Sequence, residues 1–225
     1  MSLKKGLVLD LDISSEGLQG TTKFKDKTPY ENNGTLSNVT LTTDHKGKAN
    51  SAGLFNGTSS YIVCGNNSSL DITDEITISA WVKINGLNPA GWQGIVMNTP
   101  SSTIFNFGIG VQNNTYKPYA VFRTDSISQL IHTTSLTLGE WNMITLTVDD
   151  VNMNLYINGA DKVSTAKGTL GSTFADTIIG TFRTNYLNGS IERPQIWNRA
   201  LSADEVKLLY ESYNPCLMIV KGGIG

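Results

Sequence analysis

The sequence predicts an all-β fold: a two-sheet antiparallel β-sandwich, or jelly roll, with one short C-terminal helix. Three observations predict it. Short apolar/polar alternations recur along the chain, glycine or asparagine stands between them, and one late stretch carries a helical period. At 39% hydrophobic and 16% charged the composition is low in both for a globular protein, and the abundant Gly, Asn, Ser and Thr form a strand-and-turn vocabulary.

Each element has its own justification. "GLVLDLDI" (6–13) alternates Leu7, Leu9, Leu11 and Ile13 with Asp10 and Asp12, so the apolar set is expected on one face and the aspartates on the other. "EITISAWVKI" (75–84) is the clearest strand, with Ile76, Ile78, Ala80, Val82 and Ile84 toward the core. "WNMITLTVDDVNMNLYINGADKV" (141–163) predicts a meander that turns first at Asp149-Asp150 and then at Asn158-Gly159, where a tight hairpin needs positive φ. The runs "AGLFNGTSSYIVCG", "IFNFGIGVQ", "PYAVFRT" and "TIIGTF" add further short strands, and Gly108 and Gly110 read as strand glycines. Trp81, Trp141 and Trp197 are assigned to sheet packing.

Ile191 to Trp197 reads as a strand in which Pro194, lacking an N–H, marks an edge, a bulge or an end. Ser202 and Glu205 then form an S-x-x-E capping box, so a helix starts at Ala203. Val206, Leu209, Tyr210 and Tyr213 give it one apolar stripe. We take residues 6–214 as one domain. Residues 215–225, "PCLMIVKGGIG", form an apolar, glycine-rich tail that pairs with its own sheet, docks on a partner subunit or leads into further sequence.

Several function classes are excluded at this level. The formal net charge of −2 and the lack of any Lys/Arg block leave no electrostatic footprint for nucleic acid. No apolar run approaches the roughly 20 residues that span a bilayer, so membrane insertion is not expected. Cys64 and Cys216 make no metal pattern and read as two buried or semi-buried thiols, with a bridge between them as the alternative. His45 and His132 stand without partners at ligand spacing and are expected at the surface. Asp10 and Asp12, about 6.6 Å apart along a strand, lie near the separation of an inverting glycosidase pair. The stronger reading is structural: aspartates alternating with core leucines are what a half-exposed strand contains.

The ordered run of "GLVLDLDISSEG", "AGLFNGTSSYIVCG", "ITISAWVKI", "WNMITLTVD", "LYINGADK" and "NGSIERPQIWNRALSADEVKLLY" resembles the laminin-G-like, concanavalin-A-like jelly-roll family from Gly6 to Tyr210. Such domains are similar in architecture to lectins, pentraxins and carbohydrate-binding modules, and bacterial and phage proteins use them for adhesion. The resemblance implies a non-catalytic recognition module, glycan-binding, outside the cell, on a cell surface or in a virion. The ending "WNRALSADEVKLLYESYNPCLMI" also resembles domain ends of phage structural proteins, which implies the alternative of a virion component, a tail fibre or capsid decoration, that self-associates or meets virion proteins through its tail. A further alternative is a glycan-cleaving enzyme using Asp10 and Asp12, although the E-x-D-x-x-E string of glycosidases of this fold is absent. No cofactor is required. Many relatives hold a structural Ca2+, and Glu192 with Asp26 are the carboxylates that the resemblance offers for one. The chain departs from the family at Phe55-Asn56-Gly57, where relatives carry acidic residues, and at Glu192, where an Asp is usual.

For ligand binding, the residues themselves point to aromatics in polar loops. "NPAGWQG" sets Trp92 between glycines, and "QNNTYKPYAVFR" groups Asn113, Asn114, Tyr116, Tyr119 and Arg123. Rings stack on the C–H faces of sugars while amides and guanidinium groups take hydroxyls, so these residues form the candidate saccharide surface. The competing assignment turns Tyr119 and Phe122 to the core and lays Trp92 over a sheet edge.

Overall fold

The clean alternation over Ile76–Ile84 makes it the middle of a sheet in which every neighbour runs antiparallel. The computed structural model describes residues 2–86, 91–98, 106–112, 114–123, 127–167 and 175–214, with the backbone only at 123, 127 and 128. Across the first sheet, Asp161–Ala166, Asn152–Ile157, Trp141–Val148, Ile76–Ile84 and Asn188–Trp197 follow one another. The far side of Asn188–Trp197 is shared: its first half pairs with Ala52–Asn56 and its second with Leu7–Asp12. The second sheet runs Lys23–Asp26, Gly34–Ser37, Tyr61–Gly65, Thr177–Ile179, Gln93–Asn98, Phe107–Val111, Pro118–Arg123 and Ile127–Ile131. This is the expected two-layer antiparallel β architecture.

The inner faces meet in one apolar layer. Leu9, Phe55, Ile78 and Ile144 come from the first sheet, and Ile62, Ile95, Phe107 and Phe122 from the second, all essentially sealed from water. Burial of each such side chain is worth about 1.5–3 kcal/mol. Cys64 lies in this layer, where burial pushes its thiol well above the ordinary range. Cys216 falls outside the described residues, as does the tail.

A second apolar layer covers the outer face of the first sheet. The residues that alternate with the core set, Trp81, Met143, Tyr156 and Trp197, point outward and receive Leu201, Val206 and Leu209 of the helix Ala203–Tyr213 and its approach. The helix begins as expected: Ser202 Oγ accepts from the Glu205 N–H, and Glu205 Oε2 accepts from the Ser202 N–H. Glu205 also takes both guanidinium nitrogens of Arg199 at 2.8 Å.

Two expectations are corrected, for Leu7 and for the histidines, and one is narrowed, for Pro194, where of edge, bulge and end it is the bulge that the strand contains. Leu7 does not share the core face with Leu9, because a bulge between them lets Val8 and Leu9 both enter the core and turns Leu7 into the helix-side layer. Pro194 sits in a strand paired on both sides, not at an edge; the register breaks between Glu192 and Gln195, and Arg193 takes φ +46° to carry the bulge. Neither histidine is at the surface. The His132 side chain is fully buried, with Nδ1 accepting from the Thr134 N–H and Nε2 facing the Asp161 carbonyl at 3.3 Å. Main-chain partners make burial of the ring affordable in free-energy terms.

Candidate functional site

The outer face of the second sheet carries a third apolar cluster, and its origin is again strand periodicity. In Pro118–Arg123, Ala120 and Phe122 fill the core, so Tyr119 and Val121 point out. In Phe107–Val111, the inward positions are Phe107, Ile109 and Val111, which leaves glycine at both outward positions. Those glycines make a trough. A Cβ on Gly110 would lie 2.5 Å from the Tyr119 ring, and one on Gly108 would lie 2.5 Å from Met97 Sδ. The two neighbouring side chains therefore lie down over the glycine strand.

Trp92 closes this trough from the start of Gln93–Asn98, with its ring centroid 4.8 Å from that of Tyr119. Phe182 meets Tyr119 edge-on at 6.2 Å, and the Arg183 guanidinium carbon sits 5.1 Å above Phe182. Both belong to a tight hairpin, Thr181–Phe182 with Asn185–Tyr186, whose turn puts Arg183 at φ +61°. Thr181 Oγ1 braces it by facing the carbonyls of Arg183 and Asn185 at 3.1 and 3.3 Å. Tyr186 reaches Tyr61 with centroids 6.2 Å apart. The face thus offers aromatic surface for stacking and a guanidinium beside it.

The residues expected to bind do not all meet. Trp92 and Tyr119 are together, but Tyr119 is completely buried under its neighbours, and burial pushes its hydroxyl far above the ordinary range. Tyr119 is the support and Trp92 the half-exposed ring. Tyr116 packs against the central core and not against Trp92. Asn114 is exposed on the turn that joins the two strands, where Asn114 and Tyr116 both have positive φ and the Gln112 N–H donates to the Lys117 carbonyl. Asn113 and the Arg123 side chain lie outside the described residues. Phe182, Arg183, Tyr61 and Tyr186 were not anticipated, although aromatics in a polar loop, the signal that selected Trp92, are equally present in "TFRTNY".

The carboxylates have other work. Asp26 is buried; its Oδ1 accepts from the N–H groups of Asp10 and Thr28, and its Oδ2 from Thr28 Oγ1 and the Asn32 N–H. All of its acceptor positions are filled by protein donors. Glu192 Oε2 accepts from the His45 N–H at 3.1 Å and faces His45 Nδ1 at 2.7 Å, while the imidazole lies flat on Trp81 at 4.1 Å. Glu192 lines a cavity of about 190 Å3 with Asp12, Lys27 and Arg193, to which Asp26 does not contribute. Asp26 and Glu192 as a pair do not fit a shared Ca2+. Asp10 and Asp12 are likewise separated. Asp10 is bound by Arg193 and Gln195 and lines a different cavity, while Asp12 is held by Lys27 and Ser14, which keep its carboxyl below the usual range against the opposing effect of burial. Two carboxylates acting on one glycosidic bond must face one cleft, which these do not.

Comparison with known proteins agrees with the fold. The chain resembles domain 4 of the extracellular arabinanase AbnA from Geobacillus stearothermophilus, solved in complex with arabinotriose, with a TM-score of 0.72 at 19% identity over 91% of this chain and 98% of that one. The receptor binding domain of botulinum neurotoxin C/D mosaic serotype gives 0.71 at 19% over 92% and 51%. Trypanosoma rangeli sialidase gives 0.70 at 18% over 93% and 33%, so this chain spans about a third of that enzyme's length. No curated protein matches the sequence. A laminin-G family model described as the concanavalin A-like lectin/glucanases superfamily matches residues 56–207, and the chain belongs to that superfamily.

Proposed function

We propose that the chain is a non-catalytic glycan-recognition module that works outside the cell, at a cell surface or in a virion, and that it holds sugars on the outer face of its second sheet. One observation carries this reading: Trp92 is propped half-exposed on Tyr119 over a strand with no outward side chains, with Phe182 and Arg183 beside it. Flat rings take the C–H face of a pyranose or furanose, and the guanidinium fork donates to hydroxyls. The arabinotriose complex of the similar arabinanase domain supports the choice of ligand class. The test is a glycan array with the full chain, followed by Phe182→Ala and Arg183→Ala against whatever binds. Each variant is expected to weaken binding several-fold. A chain that binds nothing on a broad array, or variants that bind as well as the parent, overturns the reading.

A further inference from the structure

The hairpin Thr181–Phe182 with Asn185–Tyr186 stands between two pairs of rings. Residues opposite each other in an antiparallel pair share a face, and successive residues alternate faces. Phe182 and Asn185 therefore point to one side of the hairpin, and Thr181 and Tyr186 to the other. On the first side lie Tyr119 and, stacked on it, Trp92, with the Asn185 amide so near that a Cβ on Gly91 would come 2.4 Å from its Nδ2. On the second side Tyr186 meets Tyr61, and Ser37 stands opposite Tyr61 on the neighbouring strand, so its hydroxyl shares that face. Tyr61 and Tyr186 are half-buried, yet they belong to none of the three apolar clusters. Core packing does not account for these two rings, and a second stacking platform does.

The ridge between the platforms is held in place. The Thr181 carbonyl lies over Gly94, where a Cβ would come within 2.4 Å, and the Leu187 N–H donates to the Gly180 carbonyl at 2.8 Å to close the base of the hairpin. Gln93, fully buried and next to Trp92 in the chain, ties down the exit by accepting the Asn188 N–H on Oε1 at 2.7 Å. Two platforms at a fixed separation favour one ligand long enough to span both, because the second contact is then intramolecular and adds little entropic cost. Resting on the reading of this face as a sugar site, we propose that the hairpin divides it into two aromatic subsites, Trp92–Phe182 and Tyr61–Tyr186, and that the ligand is a stretch of linked sugars straddling the hairpin, not a single terminal sugar. Arg183 and Thr184, exposed at the tip, lie between the subsites, where they meet the hydroxyls of the spanning chain.

The test takes the best-binding linear glycan of an array, cuts it by partial hydrolysis into fragments from one sugar upward, and titrates each calorimetrically into the full chain. Affinity is expected to rise about tenfold from the single sugar to fragments that fill both subsites, and then to level off. In Tyr61→Ala/Tyr186→Ala the single sugar is expected to bind as it does to the parent, while the gain with length disappears. In the parent, the Trp92 indole N–H and the ring signals of Tyr61 and Tyr186 are expected to shift together when a long fragment is added, a readout that needs no variant to fold. A gain with length that survives the double variant, or tyrosine signals that do not move, overturns the proposal. Affinity that is flat across the series also overturns it and leaves the sugar-binding face standing. A chain that binds no glycan on the array overturns the reading of the face and this proposal with it.

Discussion

Tyr119 lies across the backbone of Gly110, so close that a Cβ on the glycine would come 2.5 Å from the ring and 2.4 Å from the Gln93 carbonyl. A side chain at 110 must move either an aromatic support or a neighbouring strand. Gly110→Ala is therefore expected to destabilise the fold by about 1–3 kcal/mol, the usual cost of overpacking. Urea unfolding of the variant checks it; a midpoint equal to the parent's would show that the ring is free to lift away.

The helix start couples a cap to an ion pair. Glu205 closes the capping box and binds Arg199, and chiefly the Arg199 hydrogen bonds hold its carboxyl below the usual range. Its folded-state pKa is depressed, so the stabilisation is present above the unfolded value near 4.3 and is lost as pH falls through the folded one. Glu205→Gln keeps the capping box, in which Gln also serves, and loses the charge that pairs with Arg199, so it is expected to cost about 0.5–1 kcal/mol at pH 7. The difference from the parent is expected to shrink below about pH 4. Denaturant titrations at pH 7 and pH 3 measure both.

Tyr213 behaves in the opposite sense. Burial pushes its hydroxyl up to about 12, and the neutral group donates to Gln195 Oε1 at 3.0 Å. Stability from this group is complete below the unfolded value of about 10 and falls as pH rises toward 12. Tyr213→Phe is expected to flatten the alkaline loss of stability in that window while costing about 1–3 kcal/mol at neutral pH, because Gln195 loses a partner. Melting curves from pH 8 to pH 11 decide it, and a variant with the parent's alkaline slope would exclude the assignment.

A bound structural ion stabilises only the folded state, so its removal must lower the melting temperature. With Asp26 saturated by protein hydrogen bonds and Glu192 engaged by His45, we expect the melting temperature to be indifferent to EDTA and to added calcium. A clear rise with calcium would show that other oxygens assemble a site.

Much of the fold is legible because it is local. The alternation of Ile76–Ile84, the Asn158-Gly159 turn with φ of 52° and 75°, and the Ser202–Glu205 capping box each depend on residues a few positions apart. What was not legible depends on distant pairing. Leu7 and Arg193 are displaced by bulges, which a strict period of two does not contain. His45 is buried because Glu192 and Trp81, from two paired strands, receive it. Phe182 joins Trp92 because Gln93–Asn98 and Thr177–Ile179 are neighbours in the second sheet, a pairing that neither segment announces. Tyr116 and Tyr119 are close in sequence yet lie in different clusters, one in the core layer and one on the outer face.

That last separation gives the sharpest test of a sugar-binding outer face. We would measure the affinity of the parent, Trp92→Ala and Tyr116→Ala for the best ligand from a glycan array. A surface built on the Trp92–Tyr119 stack predicts that Trp92→Ala loses about tenfold, ~1.4 kcal/mol, while Tyr116→Ala binds like the parent. Unchanged affinity in Trp92→Ala would contradict the account and place any sugar site elsewhere on the protein.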